Sequence, residues 1–113
     1  MTSDTDQAFD SISLDDGSDA CVLMLLAYQV WDQPQLLLLQ DRINLCLQAI
    51  ESGDITLAHP GSRGREFIID LRTIYAPDAA TFAFLTQAQT ILEEAGHHLR
   101  FGPLGSSYVQ PVD

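Results

Sequence analysis

The sequence contains no lysine, and its five basic side chains are all arginine. Sixteen acidic side chains give a formal net charge of −11 at pH 7. A field of this sign repels phosphate backbones and anionic lipid, so we expect neither nucleic acid nor a membrane as a partner. The excess of acid predicts either simple solubility or binding to a basic partner protein.

The acidic side chains are concentrated at the amino terminus. Six aspartates and no basic residue fall within the first 20 residues. The other ten acids and five arginines leave a charge of −5 over residues 21–113. We interpret residues 1–8 as a disordered acidic segment and residues 9–113 as one domain, with an irregular tail from residue 102.

Long apolar runs and cysteines are also scarce. The longest apolar run, residues 20–28, is far shorter than the ~20 residues that a membrane-spanning helix needs. The first residues lack the basic and apolar regions of a secretory signal, so we expect a cytoplasmic protein. Cys21 and Cys46 lie among aliphatic residues, which indicates buried thiols in a reducing compartment; a disulfide between them is the alternative.

Hydrophobic periodicity predicts six elements in the order β-β-α-β-α-β. Two strands (residues 9–14 and 20–28) precede a helix that begins after Asp32 and ends at Gly53. A strand over 66–75, a helix over 79–95 capped by Asp78, and a strand over 98–101 follow. The prediction is an α+β two-layer sandwich, with a four-stranded mixed sheet and two helices on one face.

The first helix carries more apolar side chains than one sheet contact requires. Leu37, Leu38 and Leu45 widen its apolar stripe beyond the positions that face a sheet. In the strand over 66–75, Ile68 and Ile74 alternate with the expected core residues and therefore point to the opposite face. These five residues form our candidate interface, and they predict a homodimer or another protein partner.

The segment Pro60–Glu66, PGSRGRE, suggests an anion-binding loop because it combines two glycines with Arg63 and Arg65. It follows a helix and enters a strand, however, so no helix N-terminus would support a bound phosphate. Arg72 and His98 could extend such a site across a sheet face beside Asp70. A small-ligand or anion site built from these two arginines, Arg72 and His98 is our alternative hypothesis.

Catalytic and metal-binding patterns are missing from the sequence. His97 and His98 are adjacent, so in a strand they would point to opposite faces and could not share one ion. No serine lies in a G-x-S-x-G context, and no cysteine lies near a histidine in sequence. We therefore predict no metal, no cofactor and no catalytic residue, and our leading hypothesis is a non-enzymatic interaction domain.

A resemblance supports the order of elements. The pattern Trp31-Asp32, Leu39-Gln40-x-Arg42-Ile43-Asn44, and later Pro60-x-x-x-Gly64-Arg65 resembles small bacterial proteins grouped as a domain of unknown function. The resemblance covers roughly residues 9–101 and implies a hairpin before the helix, a helix end near Ser52-Gly53 and a bacterial source. It implies no activity, cofactor or catalytic residue.

Overall fold

The computed structural model describes residues 9–14 and 20–109. The predicted acidic segment 1–8 lies outside the described residues, as do residues 15–19 and 110–113. The strands are β1 (Ser11–Leu14), β2 (Cys21–Ala27), β3 (Phe67–Thr73) and β4 (His98–Pro103). The helices are α1 (Gln33–Ser52), α2 (Asp54–Ala58) and α3 (Ala79–Glu94), with a 3-10 turn at Pro60–Ser62.

The four strands form one mixed sheet in the order β1-β2-β3-β4. β1 is antiparallel to β2, whereas β2, β3 and β4 run parallel. Each parallel step moves in the same direction along the sheet, so right-handed crossovers place α1 and α3 on the same face. The predicted α+β class, mixed sheet and one-sided helix layer are confirmed.

The hydrophobic core lies between this helix layer and alternate residues of the strands. Leu23, Ile69 and Leu99 are aligned across three strands, and all three are buried. Leu39 and Ile43 of α1 belong to the same buried cluster, as do three residues of α3: Leu85, Ala88 and Leu92. Burying each large aliphatic side chain contributes about 1.5–3 kcal/mol, which holds the two layers together.

The helix boundaries follow from local chemistry that was visible in the sequence. The Asp32 side chain accepts a hydrogen bond from the backbone N–H of Gln35 at 2.9 Å, and Gly53 ends α1 in the left-handed region at φ 84°. The Asp78 side chain accepts from the N–H of Thr81 at 2.8 Å, and the Thr81 hydroxyl and N–H beside this carboxylate lower the pKa of Asp78. Both predicted N-caps are present.

Three details correct the prediction. α2 adds a third helix, which escaped detection because five residues show no periodic pattern; its Ile55 is fully buried in the core. β4 continues to Pro103, so the irregular tail begins later than residue 102, because Gly102 and Pro103 pair with the end of β3. α3 ends before Ala95, which is exposed and does not extend the buried stripe.

Candidate functional site

The second face of the sheet, opposite the helix layer, collects most of the charged strand residues. Strand pairing arranges it in three rows: Val22-Ile68-His98, Met24-Asp70-Arg100 and Leu26-Arg72-Gly102. Each row crosses β2, β3 and β4, so residues that are 46 positions apart (β2 to β3) or 30 positions apart (β3 to β4), such as Asp70 and Arg100, become neighbours. Apolar side chains occupy the β2 side, and charged side chains occupy the β3 and β4 side.

The centre of this face is a buried carboxylate between two arginines. The Asp70 side chain is only 4% exposed, whereas those of Arg72 and Arg100 are 32% and 45% exposed. Arg72 Nε lies 2.9 Å from Asp70 Oδ1, and Arg100 Nε lies 3.3 Å from Oδ2. We call Arg72 and Arg100 the arginine pair. Their two positive charges and the single negative charge of Asp70 leave one excess positive charge.

The bond between Asp70 and Arg72 is electrostatic rather than a directed hydrogen bond. Asp70 Oδ1 is buried and accepts no hydrogen bond from the described part of the chain, although Arg72 Nε is close to it. The distance satisfies an ion pair, and we attribute the missing hydrogen bond to an N–H vector that does not point at the oxygen. Charge therefore holds Arg72 in place beside Asp70.

Gly102 explains how Arg72 fits against the neighbouring strand. A Cβ atom at this position would lie 2.8 Å from Arg72 Nη1, closer than real Cβ contacts. Gly102 pairs with Arg72 across β3 and β4, and its lack of a side chain lets the guanidinium lie over the strand. Sequence reasoning suggested Arg100 as a neighbour of Asp70 but missed Gly102 as a member of this site, because only the strand register places Gly102 beside Arg72.

His98 lies at the edge of the same face. Its Nε2 is 3.3 Å from Glu66 Oε2, and both side chains are more than half exposed. His98 is two residues before Arg100, about 7 Å along the strand. The His98–Glu66 pair is next to Arg100 in the strand, and among the described residues neither of its members forms an ion pair with Asp70.

The loop arginines are not part of this site. Arg65 Nε donates to the carbonyl of Gly61 at 2.8 Å, within the turn that Gly64 closes at φ 76°. Arg65 and Arg72 are seven residues apart across an extended strand, roughly 23 Å at about 3.3 Å per residue. Arg65 is therefore far from Arg72 along the chain, whereas Glu66, its neighbour in sequence, contacts His98. A site that joins Arg63 and Arg65 with Arg72 and His98 stays a prediction.

His97 has a structural contact on the other side of β3. Its Nδ1 accepts a hydrogen bond from the backbone N–H of Phe67 at 3.2 Å, and the two rings make an edge contact at 5.6 Å between centroids. Burial lowers the pKa of His97, so the neutral form that can accept this bond is favoured. Among the described residues, no three metal-ligating side chains are close enough to hold an ion.

The predicted interface residues divide into two groups. Leu37 and Leu38 are about half exposed, at 52% and 54%. Leu45 instead packs partly buried against the core, and Ile68 and Ile74 are half-buried. Only the two leucines at the start of α1 offer a largely open apolar surface, so the isoleucines are less exposed than the alternation of the strand suggested.

A pocket of about 250 Å³ lies beside these leucines, where β2 ends and α1 begins. Tyr28, Trp31, Leu38 and Arg42 are among its lining residues. The Trp31 indole donates to the Tyr75 carbonyl at 3.1 Å, and Arg42 donates to the Leu26 carbonyl and to an Asp10 oxygen. These polar groups are engaged by the protein itself, so the pocket presents mainly apolar surface.

The apolar surface around this pocket extends along the loop between β2 and α1. Tyr28, Val30, Leu37 and Leu38 are each 47–54% exposed. We call these four residues the carboxyl-edge patch, because β2 ends beside them. Ligands and partners of open α/β sheets commonly bind at this end of parallel strands.

The two cysteines carry no reactive site. Both Cys21 and Cys46 are buried, and they form no disulfide. Burial raises the pKa of Cys46 to about 12 and also raises the pKa of Cys21. A thiol with a raised pKa is a poor nucleophile, because the thiolate is the reactive form. The predicted burial of both thiols is confirmed, and the alternative, a disulfide between Cys21 and Cys46, is not formed.

The fold and these surfaces define a small two-layer α+β protein with a four-stranded mixed sheet. The chain belongs to a family of unknown function, DUF6572, whose model matches residues 1–105. This match confirms the expected membership in a domain of unknown function. No curated protein and no solved structure matches the chain significantly. Within the described residues, no helix is long and apolar enough to cross a membrane.

Proposed function

We propose that this protein is a non-enzymatic domain that binds a second copy of itself, or another protein, through the carboxyl-edge patch. The observation that carries the proposal is the exposure of four large apolar side chains at the end of β2 and the start of α1, two of which, Tyr28 and Leu38, line the pocket. Clusters of exposed apolar side chains are typical of interaction sites, whereas single ones are common on any surface. An apolar pocket beside them suits an anchoring side chain of a partner.

The sequence at the start of α1 makes exposed leucines unavoidable, whatever the orientation of the helix. Residues 36–39 are four consecutive leucines at a helical spacing of 100° per residue. They span about 300° of the helix circumference, so no rotation of α1 could bury them all. Leu39 is buried in the core, and Leu37 and Leu38 consequently remain outside.

Because the chain is strongly acidic, the salt dependence of binding distinguishes self-association from binding to a basic protein. Two copies with a net charge of −11 each repel one another, so added salt should strengthen self-association by screening. A complex with a basic protein, such as a toxin or an enzyme under inhibition, should instead weaken as salt is added. We favour self-association because the patch itself is uncharged.

We also propose that the protein is located in a bacterial cytoplasm. Two buried thiols without a disulfide suit a reducing compartment. The resemblance of the segment from Trp31 to Arg65 to small bacterial proteins supports the source.

The test is light scattering coupled to size-exclusion chromatography over a range of protein and salt concentrations. We expect a dimer for the wild type and a monomer for Leu38→Glu, because a charge at the rim of the pocket would be desolvated on association. The matched control is Leu57→Glu, since Leu57 is 81% exposed on α2, away from the patch. This variant should associate like the wild type.

A wild type that stays monomeric at all concentrations, and whose capture of other proteins is unchanged by Leu38→Glu, would refute the proposal. A monomeric Leu57→Glu would also count against it, because dissociation would then reflect added charge anywhere on the surface. Circular dichroism of each variant checks that the fold is retained.

A further inference from the structure

We propose that Arg72 and Arg100 form a binding site for the carboxylate of a small organic acid on the second face of the sheet. The inference does not depend on the proposed function, since this face and the carboxyl-edge patch are separate surfaces. It rests on three observations: the excess positive charge, the space made by Gly102 and the apolar side chains beside the arginines.

The first observation is the local balance of charge. Two guanidinium groups share the single carboxylate of Asp70, which leaves one positive charge uncompensated in a chain of net charge −11. Glu66 is four residues from Asp70 along β3, but its side chain reaches His98, which lies about 7 Å along β4 from Arg100. The Glu66 carboxylate pairs with His98 rather than with either arginine, so the excess positive charge remains at Arg72 and Arg100.

The second observation concerns how the arginines are held. Both ion pairs to Asp70 are made through Nε, and the Nη groups are the donors that a ligand would meet. The buried carboxylate of Asp70 holds both guanidinium groups by charge, at 2.9 Å and 3.3 Å, so their positions are set before a ligand binds. Asp70 is therefore a positioning residue, and Gly102 leaves room for the Arg72 guanidinium.

The third observation is the chemistry of the surroundings. Met24 and Leu26 on β2 are half-buried in the same rows as Asp70 and Arg72, and Ile68 is half-buried in the adjacent row. A ligand that bridges the arginines would place its remaining atoms on these side chains. An apolar body attached to an anionic group fits this surface.

Charge selects a carboxylate over a phosphate. Planar guanidinium groups bind carboxylates through paired N–H donors, and one excess positive charge matches one negative charge. A phosphate at pH 7 carries about 1.5 negative charges and would be repelled more strongly by the acidic chain than a carboxylate. The expected ligand class is a monocarboxylic acid with an aliphatic or aromatic body.

The probe is hexanoate, titrated into ¹⁵N-labelled protein and followed by NMR, with the arginine Nε–H signals included. We expect saturable shifts of the Arg72 and Arg100 Nε–H signals and of backbone amides in β3 and β4. Acetate should bind at least several-fold more weakly because it lacks the apolar body. Hexanol should produce no shift of the Nε–H signals, and inorganic phosphate should bind more weakly than hexanoate.

Arg100→Gln should reduce the hexanoate affinity at least tenfold, since it removes one of two paired charges on a half-exposed side chain. Arg63→Gln is the matched control, because Arg63 is an exposed arginine outside the site. Gly102→Ala should also weaken binding by displacing the Arg72 guanidinium. Equal affinity in Arg100→Gln and the wild type, equal losses in both arginine variants, or tighter binding of phosphate would each overturn the proposal.

Discussion

The two faces of the sheet are built from the same strands and have opposite chemistry. On the face toward the helices, Leu23, Ile69 and Leu99 form a continuous apolar row that is buried by α1 and α3. On the other face, one residue away along β3, Asp70 is buried between half-exposed arginines. Residues on the first face are buried by the packing of helices, whereas Asp70 on the second face is buried by the arginine side chains that cover it.

This difference has an energetic meaning. Apolar burial contributes stability without needing a specific geometry, whereas a buried carboxylate is stable only while its partners remain in place. The helix face therefore supplies most of the folding free energy. The second face supplies the ion pairs of Asp70 with Arg72 and Arg100, which are accessible to a ligand.

The largest effect should come from truncating the helix face. We expect Ile69→Ala to lower the free energy of unfolding by about 2–5 kcal/mol, because it leaves a cavity in a fully packed core. Urea denaturation followed by circular dichroism measures the change. Ile68→Ala, its half-buried neighbour on the same strand, should cost only about 1 kcal/mol. Equal losses for both variants would show that the two faces are buried in the same way.

An intermediate effect should come from removing the buried carboxylate. Asp70→Ala leaves Arg72 and Arg100 as neighbouring like charges without their shared partner, and we expect a loss of about 1–3 kcal/mol in the free energy of unfolding. The double variant Asp70→Ala, Arg100→Gln should recover part of that loss. If the second substitution adds its own full cost instead, the two arginines do not depend on Asp70 and the second face is less coupled than we infer.

The smallest effect should be a pH dependence that arises from His97. Its pKa is lowered in the folded state by burial, so unfolding takes up a proton as the pH falls. The stabilisation is fully present above the unfolded pKa of about 6.5 and is lost as the pH falls toward the folded pKa. We expect the stability difference between pH 7.5 and pH 5.5 to be smaller in His97→Asn than in the wild type.

His98→Asn is the matched control for this measurement, because His98 is exposed and adjacent in sequence. It should keep the wild-type pH dependence if His97 is the group responsible. A pH dependence that survives unchanged in His97→Asn would assign the effect to other groups.

Much of the fold was predictable because it depends on neighbours in sequence. Asp32 and Asp78 were identified as N-caps from residue type and spacing, and Gly53 as a helix end. The alternation in β3 correctly separated Phe67 and Ile69 from Asp70. α2 was missed because five residues carry no periodic signal, and its existence depends on burial of Ile55 by the rest of the core.

The candidate site was predictable only in part. Arg72, Asp70 and His98 were placed on one face by strand alternation, and the structure agrees with that placement. Arg63 and Arg65 were grouped with Arg72 from residue type alone, and the extended chain between them separates Arg65 from Arg72 by roughly 23 Å. For PGSRGRE, the turn position, the positive φ of Gly64 and the contact of Arg65 with Gly61 indicate a structural turn.

Local periodicity and capping were enough to predict the four strands, the two long helices and the apolar side of each strand, because these features depend on residues close together in the chain. The contact of Arg100 with Asp70 and the position of Gly102 under Arg72 followed only from the folded chain, because strand register is set by contacts across some thirty residues of intervening sequence. A shift of one residue in the pairing of β4 would turn Arg100 toward the helices and dismantle the site.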